Sequence, residues 1–217
     1  MEVSWSHSAL KEFENCARRY HETRVLRKHK VVKTEKMLYG DRLHKAAEEY
    51  VKGKELPSEF SFLKGVIDAL LTKGNGALAE VKMALKNDLS GCDWFDKKTW
   101  VRGIADLLII DGPVAWVVDY KTGNNKYPDR DQLALMSAMV MVLYPQVQQV
   151  NSALLYVTSD TMFKHKMHRE ELDDVWWKYR ERVARIEAAH ASNVWNPTST
   201  PLCPWCPVTT CEFHPDN

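Results

Sequence analysis

Hydrophobic positions change period four times along the chain. Leu10, Phe13, Cys16, Ala17 and Tyr20 recur at helical spacing, so residues 4 to 28 are read as a helix capped by Ser6 or Ser8. A second helix is expected from about Asp41 to Val51, and a third from Phe60 to Leu71, ended by Gly74-Asn75-Gly76. Alternation then takes over. Ala77 to Leu85 reads as a strand, Asp88 to Asp93 as a loop, and Trp100 to Ile110 and Val114 to Tyr120 as a hairpin turning at Asp111-Gly112-Pro113. Asp129 to Tyr144 returns to helical spacing, Ser152 to Thr158 and Met162 to His168 read as strands, and Glu170 to Ser192 is a long amphipathic helix with Val175, Tyr179, Val183 and Ile186 in register. From Asn196 the chain holds five prolines and three cysteines and reads as a compact irregular tail.

This order predicts an α/β fold with a mixed central sheet flanked by helices. The strands before Asp129 and after Tyr144 are placed to pair in parallel across the helix between them. The 217 residues suit one domain, 1–217, made of a helical part (1–75), a catalytic sheet core (76–170) and a helix with the cysteine tail (171–217). At 45% hydrophobic residues the chain should fold. Thirty basic and 29 acidic residues give a net charge of +1, which neither supports nor excludes nucleic acid. No apolar run has the length of a membrane span, and Met1-Glu2-Val3-Ser4-Trp5 does not open like a secretory signal. The expected location is therefore the cytoplasm, where thiols stay reduced and clustered cysteines suggest metal before disulfides.

Two acidic residues fall on adjacent expected strands. Asp106 lies mid-strand in Gly103-Ile104-Ala105-Asp106, and Asp119 and Lys121 lie two apart in Asp119-Tyr120-Lys121-Thr122-Gly123, so they share a face while Tyr120 points to the other. Two carboxylates and a lysine suit phosphodiester chemistry: the carboxylates hold a hard cation and the ammonium neutralises developing negative charge. The bland alternative is a solvated ion pair. The aliphatic Val114 to Val118 run argues against it, because a buried carboxylate is costly without a partner. His44 and Glu48 are four apart on one helical face, a pair that gains meaning only if that helix packs over the two strands.

Cys203-Pro204-Trp205-Cys206 with Cys211 five positions later is a ligand spacing. The fourth ligand could be Cys16, giving a four-thiolate site for an iron–sulfur cluster or zinc, or His214, which favours structural Zn²⁺. Cys92, in a mid-chain loop, is the poorer candidate. A metal joining Cys16 to the tail would be a structural clasp.

Taken in order, these pieces resemble the RecB-like branch of the PD-(D/E)XK nucleases, most closely the small phage and CRISPR-associated exonucleases that carry a four-cysteine 4Fe-4S cluster. Gly40 to Glu48 is similar to the family's GxxxHxxxE, Gly103 to Asp106 to its GxxD, and Asp119 to Gly123 to its DxKTG. Gln132 is similar to the glutamine opening the following helix, and Cys16, Cys203, Cys206 and Cys211 to the cluster ligands. The resemblance implies a restriction-endonuclease-like fold. It implies Mg²⁺ or Mn²⁺ held by His44, Asp106, Asp119 and the Tyr120 carbonyl, with Lys121 as catalytic lysine, Gln132 placing the lysine or the DNA, and Glu80 as a further acidic position. The chain departs from the pattern at Met136, where tyrosine is expected, at Ala17, where proline is common, and in a final cysteine spacing one residue short.

The expected activity is metal-dependent hydrolysis of DNA by an exonuclease acting on ends or single strands, in phage or bacterial recombination, repair or replication. The chain carries no helicase motif and no phosphate-binding loop of the Walker type. Two other readings remain: a catalytically silent DNA-binding or partner-docking module, and a nuclease subunit dependent on a helicase or recombinase. Trp94, Phe95, Trp176, Trp177, Trp195 and Trp205 could dock a partner or stack on bases, or pack in the core.

Overall fold

A computed structural model describes residues 3–29 and 33–217. The expectation drawn at Met1 and Glu2 lies outside the described residues. The backbone separates into two compact units, one of residues 33–176 and one formed by residues 1–32 with 177–217.

The unit of residues 33–176 is built on strands β2 (Ala77–Leu85), β3 (Val101–Asp111), β4 (Val114–Lys121), β5 (Gln149–Tyr156) and β6 (Thr161–His168), hydrogen-bonded in that order. All neighbours are antiparallel except β4 and β5, which run parallel across helix α5 (Arg130–Leu143), as the spacing of elements predicts. The turn of the β3–β4 hairpin is the two residues Gly112-Pro113, between the paired Asp111 and Val114.

Helix α3 (Glu35–Val51) and α4 (Lys64–Leu71) cover one sheet face. Leu43, Ala47, Phe60, Leu63 and Ile67 pack there with Leu107, Ile109, Val118, Tyr120 and Leu155. Helix α5 covers the other face; it is buried at Leu133 and at every position from Leu135 to Met141, which explains why its sequence shows little polar stripe. Asp129 caps it by accepting from the Gln132 amide at 3.2 Å. The second expected helix starts six residues early, because the Thr34 hydroxyl caps it by accepting from Met37 N. The third opens with a 3₁₀ turn over Ser58–Leu63.

In the other unit a two-residue strand β1 (Trp5–Ser6) leads into α1 (His7–Asn15). The helix expected over residues 4 to 28 is not continuous. Cys16 is extended (φ −164°, ψ 109°), and its sulfur caps a new short helix α2 (Ala17–Tyr20), followed by a π turn over His21–Val25. A cysteine is not a usual cap, so the break leaves no ordinary sequence signal. Helix α6 (Leu172–Ser192) begins in the first-described unit and continues here. Its buried stripe is Trp176, Tyr179, Val183 and Ile186, one residue off the expected start at Val175. Tyr179 stacks on Trp5 with centroids 5.3 Å apart, and Arg182 makes a two-pronged ion pair with Glu14 at 2.7 Å. Trp195 stacks on His21 and Tyr20. Of the aromatics considered for docking, Trp176 is core, whereas Phe95, Trp177 and Trp205 are exposed. No helix among the described residues is long and apolar enough to cross a membrane.

Candidate active site

The sheet opens where β3 and β4 part. Their ladder ends at the Leu107–Val118 pair, and one residue further the Asp106 carboxylate takes over, accepting the Tyr120 amide at 2.7 Å through Oδ2. Asp106 Oδ1 faces the other way and meets His44 Nδ1 of α3 at 3.2 Å. Glu80, across from Asp106 on β2, brings Oε1 to 3.9 Å of the same His44 nitrogen. Ligand atoms of His44, Glu80 and Asp106 all lie within 4.8 Å of one another. Glu80 reaches this position from a left-handed backbone (φ +52°), which costs a non-glycine residue about 1–3 kcal/mol and is found where surrounding structure over-determines it.

Asp119 lies on the β4 face that looks toward α5. Its Oδ1 accepts from Gln132 Nε2 at 2.6 Å, and Lys121 Nζ stands 2.6 Å from Oδ2. The Lys121 ammonium is thus the charge that faces this buried carboxylate oxygen. Gln132 Nε2 also lies 3.9 Å from the Met136 sulfur, so the methionine found where the resemblance leads one to expect tyrosine packs beneath the glutamine. Tyr120, on the opposite strand face, sits edge-on to the His44 ring at 6.0 Å, and its hydroxyl is buried without a partner among the described residues.

Two glycines of the sequence motifs have physical reasons here. A Cβ on Gly40 would stand 3.3 Å from Thr122 Oγ1, so a larger residue there would press on the Thr122 side chain at the end of β4. A Cβ on Gly103 would meet the Met139 sulfur at 3.1 Å, which sets how closely β3 packs on α5. Glu48 is not brought into the cluster; it pairs on the surface with Lys45 at 3.0 Å and with Lys52.

The electrostatics are those of crowded acids. Burial, and then the Asp106 charge, push the Asp119 carboxyl up to about 6, against the pull of Lys121 and His44. Glu80 is raised for the same reasons, burial first and Asp106 second. Burial lowers the His44 imidazole, but its bond to Asp106 and the charges of Asp106, Asp119 and Glu80 outweigh that and raise it overall. The three carboxylates so placed destabilise one another as anions, and a divalent cation would relieve the repulsion.

The PD-(D/E)XK nuclease superfamily model matches residues 4–98 and 61–211, which together take in nearly the whole chain. The chain belongs to the PD-(D/E)XK nuclease superfamily. Among solved structures it is similar to the "Putative exonuclease" of Eubacterium rectale, with a TM-score of 0.54 and 15% identity, covering 94% of this chain and 87% of that one. It is similar also to SSO0001, with a TM-score of 0.50 and 13% identity, covering 98% and 87%. At these identities the likeness is one of fold. No curated protein matches.

The cysteines of this PD-(D/E)XK chain gather in the other unit. Cys16, Cys203, Cys206 and Cys211 line one cavity, with Arg18, Arg19, Thr198 and His214 at its wall. The amides of Arg19 and Thr198 both point at Cys16 Sγ from 3.5 Å, and that of Thr200 at Cys203 Sγ from 3.3 Å. Backbone N–H groups aimed at sulfur are hydrogen bonds that a metal-ligating sulfur can accept. His214 lies at the same wall, its Nδ1 3.2 Å from the Asp216 amide and 3.6 Å from the Asp216 carboxylate. Cys92 lies apart, in the loop before β3, with Thr99 Oγ1 at 3.5 Å.

Proposed function

We propose that this protein is a divalent-metal-dependent deoxyribonuclease, an exonuclease that hydrolyses DNA at the carboxylate site. The observation that carries this reading is the convergence of His44, Glu80 and Asp106 within ligand distance of one another beside the Asp119–Lys121 pair. The donor set fits Mg²⁺ or Mn²⁺: oxygen ligands from Asp106, Asp119, Glu80 and the Tyr120 carbonyl, with one imidazole from His44. A cation bound there would lower the pKa of a water and polarise the phosphoryl oxygens. Lys121 holds its ammonium against Asp119, where it can orient the attacking water or neutralise the charge that grows on the phosphate. Gln132 fixes Asp119 Oδ1, so it is a positioning residue. His44 and Asp106 brace each other across the gap where the β3–β4 ladder ends.

The cysteine cavity supports a second assignment, a structural 4Fe-4S cluster on Cys16, Cys203, Cys206 and Cys211. The amides aimed at sulfur support sulfur ligands, and Cys16 lines the same cavity as the three tail cysteines, which supports it as the fourth ligand. Such a clasp would tie α1–α2 to the tail.

The test is cleavage of end-labelled single- and double-stranded DNA in Mg²⁺, Mn²⁺ or EDTA by anaerobically prepared protein. Metal-dependent loss of label supports the reading, and the labelled end that disappears gives the polarity. Binding without cleavage in either metal would instead favour the docking-module reading. Iron and sulfide analysis of the same protein tests the cluster, and stoichiometric zinc would overturn it.

A further inference from the structure

The loop between β2 and β3 carries two aromatic residues side by side, Trp94 and Phe95. Trp94 is half-buried, while Phe95 is 84% exposed. Two cations sit against the Trp94 ring: Lys82 Nζ and the Arg102 guanidinium, each 5.8 Å from its centroid. Arg102 Nε also donates to the Trp94 carbonyl at 2.6 Å, which pins the loop to β3. Among the described residues Lys82 forms no ion pair, so its charge is not spent on the protein. Two of the loop's three acids are turned to the loop itself: Asp96 faces Lys86 and caps Lys98 N, and Asp88 binds Ser90.

This platform is continuous with the carboxylate site. Arg102 and Ile104 precede Asp106 on β3 by four and two residues, and Lys82 stands directly across from Ile104 on β2, two residues from Glu80. Ile104 is 37% exposed and gives an apolar floor between the two groups of charges. Four strand residues separate Asp106 from Arg102, about 13 Å, or about four stacked nucleotides at ~3.4 Å each. A nucleic acid strand with one phosphate at the carboxylates therefore passes the cations and the free ring within a few nucleotides.

We propose that Phe95, Lys82 and Arg102 form a strand-holding subsite for single-stranded DNA: Phe95 stacks on an unpaired base and the two cations carried on Trp94 take the phosphates beside it. This inference rests on reading the carboxylate site as a DNA nuclease. A base can lie on an exposed ring only when it is out of the duplex, so the subsite selects single strands. Stacking accepts any base, because every base has a π-face, so the selection is for strandedness and not for sequence.

The experiment measures binding of a fluorescent oligonucleotide by anisotropy, with Ca²⁺ in place of Mg²⁺, across a salt series. It compares wild type, Phe95→Ala, Phe95→Trp and Lys82→Gln. Phe95→Ala should weaken single-strand binding about tenfold without changing the salt slope, and Phe95→Trp should restore it. Lys82→Gln should reduce the slope by about 0.7, one phosphate contact on a single strand. An oligonucleotide with one abasic position should lose about the same affinity as Phe95→Ala, with no further loss when both are combined. Phe95 is exposed enough that its loss leaves the fold intact. If Phe95→Ala binds as tightly as wild type while wild type cleaves in Mg²⁺ and Lys121→Ala does not, the subsite alone is overturned. Wild type that neither binds nor cleaves DNA overturns the nuclease reading, and the subsite with it.

Discussion

Replacing Asp119 by asparagine should stabilise the metal-free protein while destroying its activity. In the fold, burial and the Asp106 charge hold this carboxyl at about 6, against an ordinary 3.8. The native state therefore binds the proton more tightly than the unfolded chain. The penalty is absent below about pH 3.8, grows as pH rises, and is complete above about 6, where it reaches about 3 kcal/mol at 1.36 kcal/mol per unit. Asparagine keeps the shape and an oxygen for Gln132 to donate to, but it sets a buried –NH2 where Oδ2 faces the Lys121 ammonium, donor against donor. That mismatch offsets part of the gain, so about 1–2 kcal/mol should remain at pH 7.5, or roughly 2–8 °C in Tm at ~2–4 °C per kcal/mol. Thermal or urea unfolding in EDTA at pH 7.5 and pH 4 tests this. The variant should be the more stable at 7.5, and the advantage should vanish near pH 4. Adding Mg²⁺ or Mn²⁺ should reverse the order, because the wild type binds the cation more tightly. A variant that is less stable in EDTA at pH 7.5, or a difference independent of pH, would refute the reasoning.

Two other substitutions probe the strained carboxylate and the clasp. Glu80→Asn places a residue that tolerates the left-handed region at φ +52°. It should raise metal-free stability by about 0.5–1 kcal/mol, and titration with Mn²⁺ should show binding weakened at least about tenfold. Cys16→Ser should abolish any iron chromophore and lower stability by about 2–5 kcal/mol, on the scale of losing a cross-link between distant segments; an unchanged melting temperature would remove the clasp from the account.

The sheet was legible because its signals are local. The hairpin turn and the β-branched and aliphatic runs of β3 and β4 are written in neighbouring residues, and the parallel β4–β5 pair follows from the helix between them. What escaped depends on contacts distant in sequence or on unusual chemistry. The break at Cys16 arises because a thiol, not a hydroxyl or carboxylate, caps α2. Glu80 could be placed on its strand, but not in the backbone conformation that turns it toward His44. Gln132 could be picked out as a motif position, yet its partner Asp119 emerges only once α5 lies on the sheet. Met136, a departure from the expected tyrosine, proves to fill the space beneath that glutamine. Glu48, one turn from His44, is drawn instead into surface pairs with Lys45 and Lys52.

The central claim is that the constellation of His44, Glu80, Asp106, Asp119 and Lys121 cuts DNA, and Lys121→Ala tests it most directly. Lys121 is partly exposed and contacts Asp119 without supporting the core, so the variant should fold and bind DNA as wild type does. The measurement is single-turnover cleavage of end-labelled single-stranded DNA in Mg²⁺, with binding to the same oligonucleotide followed in parallel. The account predicts that cleavage falls by about 10²–10³-fold, the scale of losing one charge-stabilising donor, while affinity holds. Cleavage at the wild-type rate would contradict it.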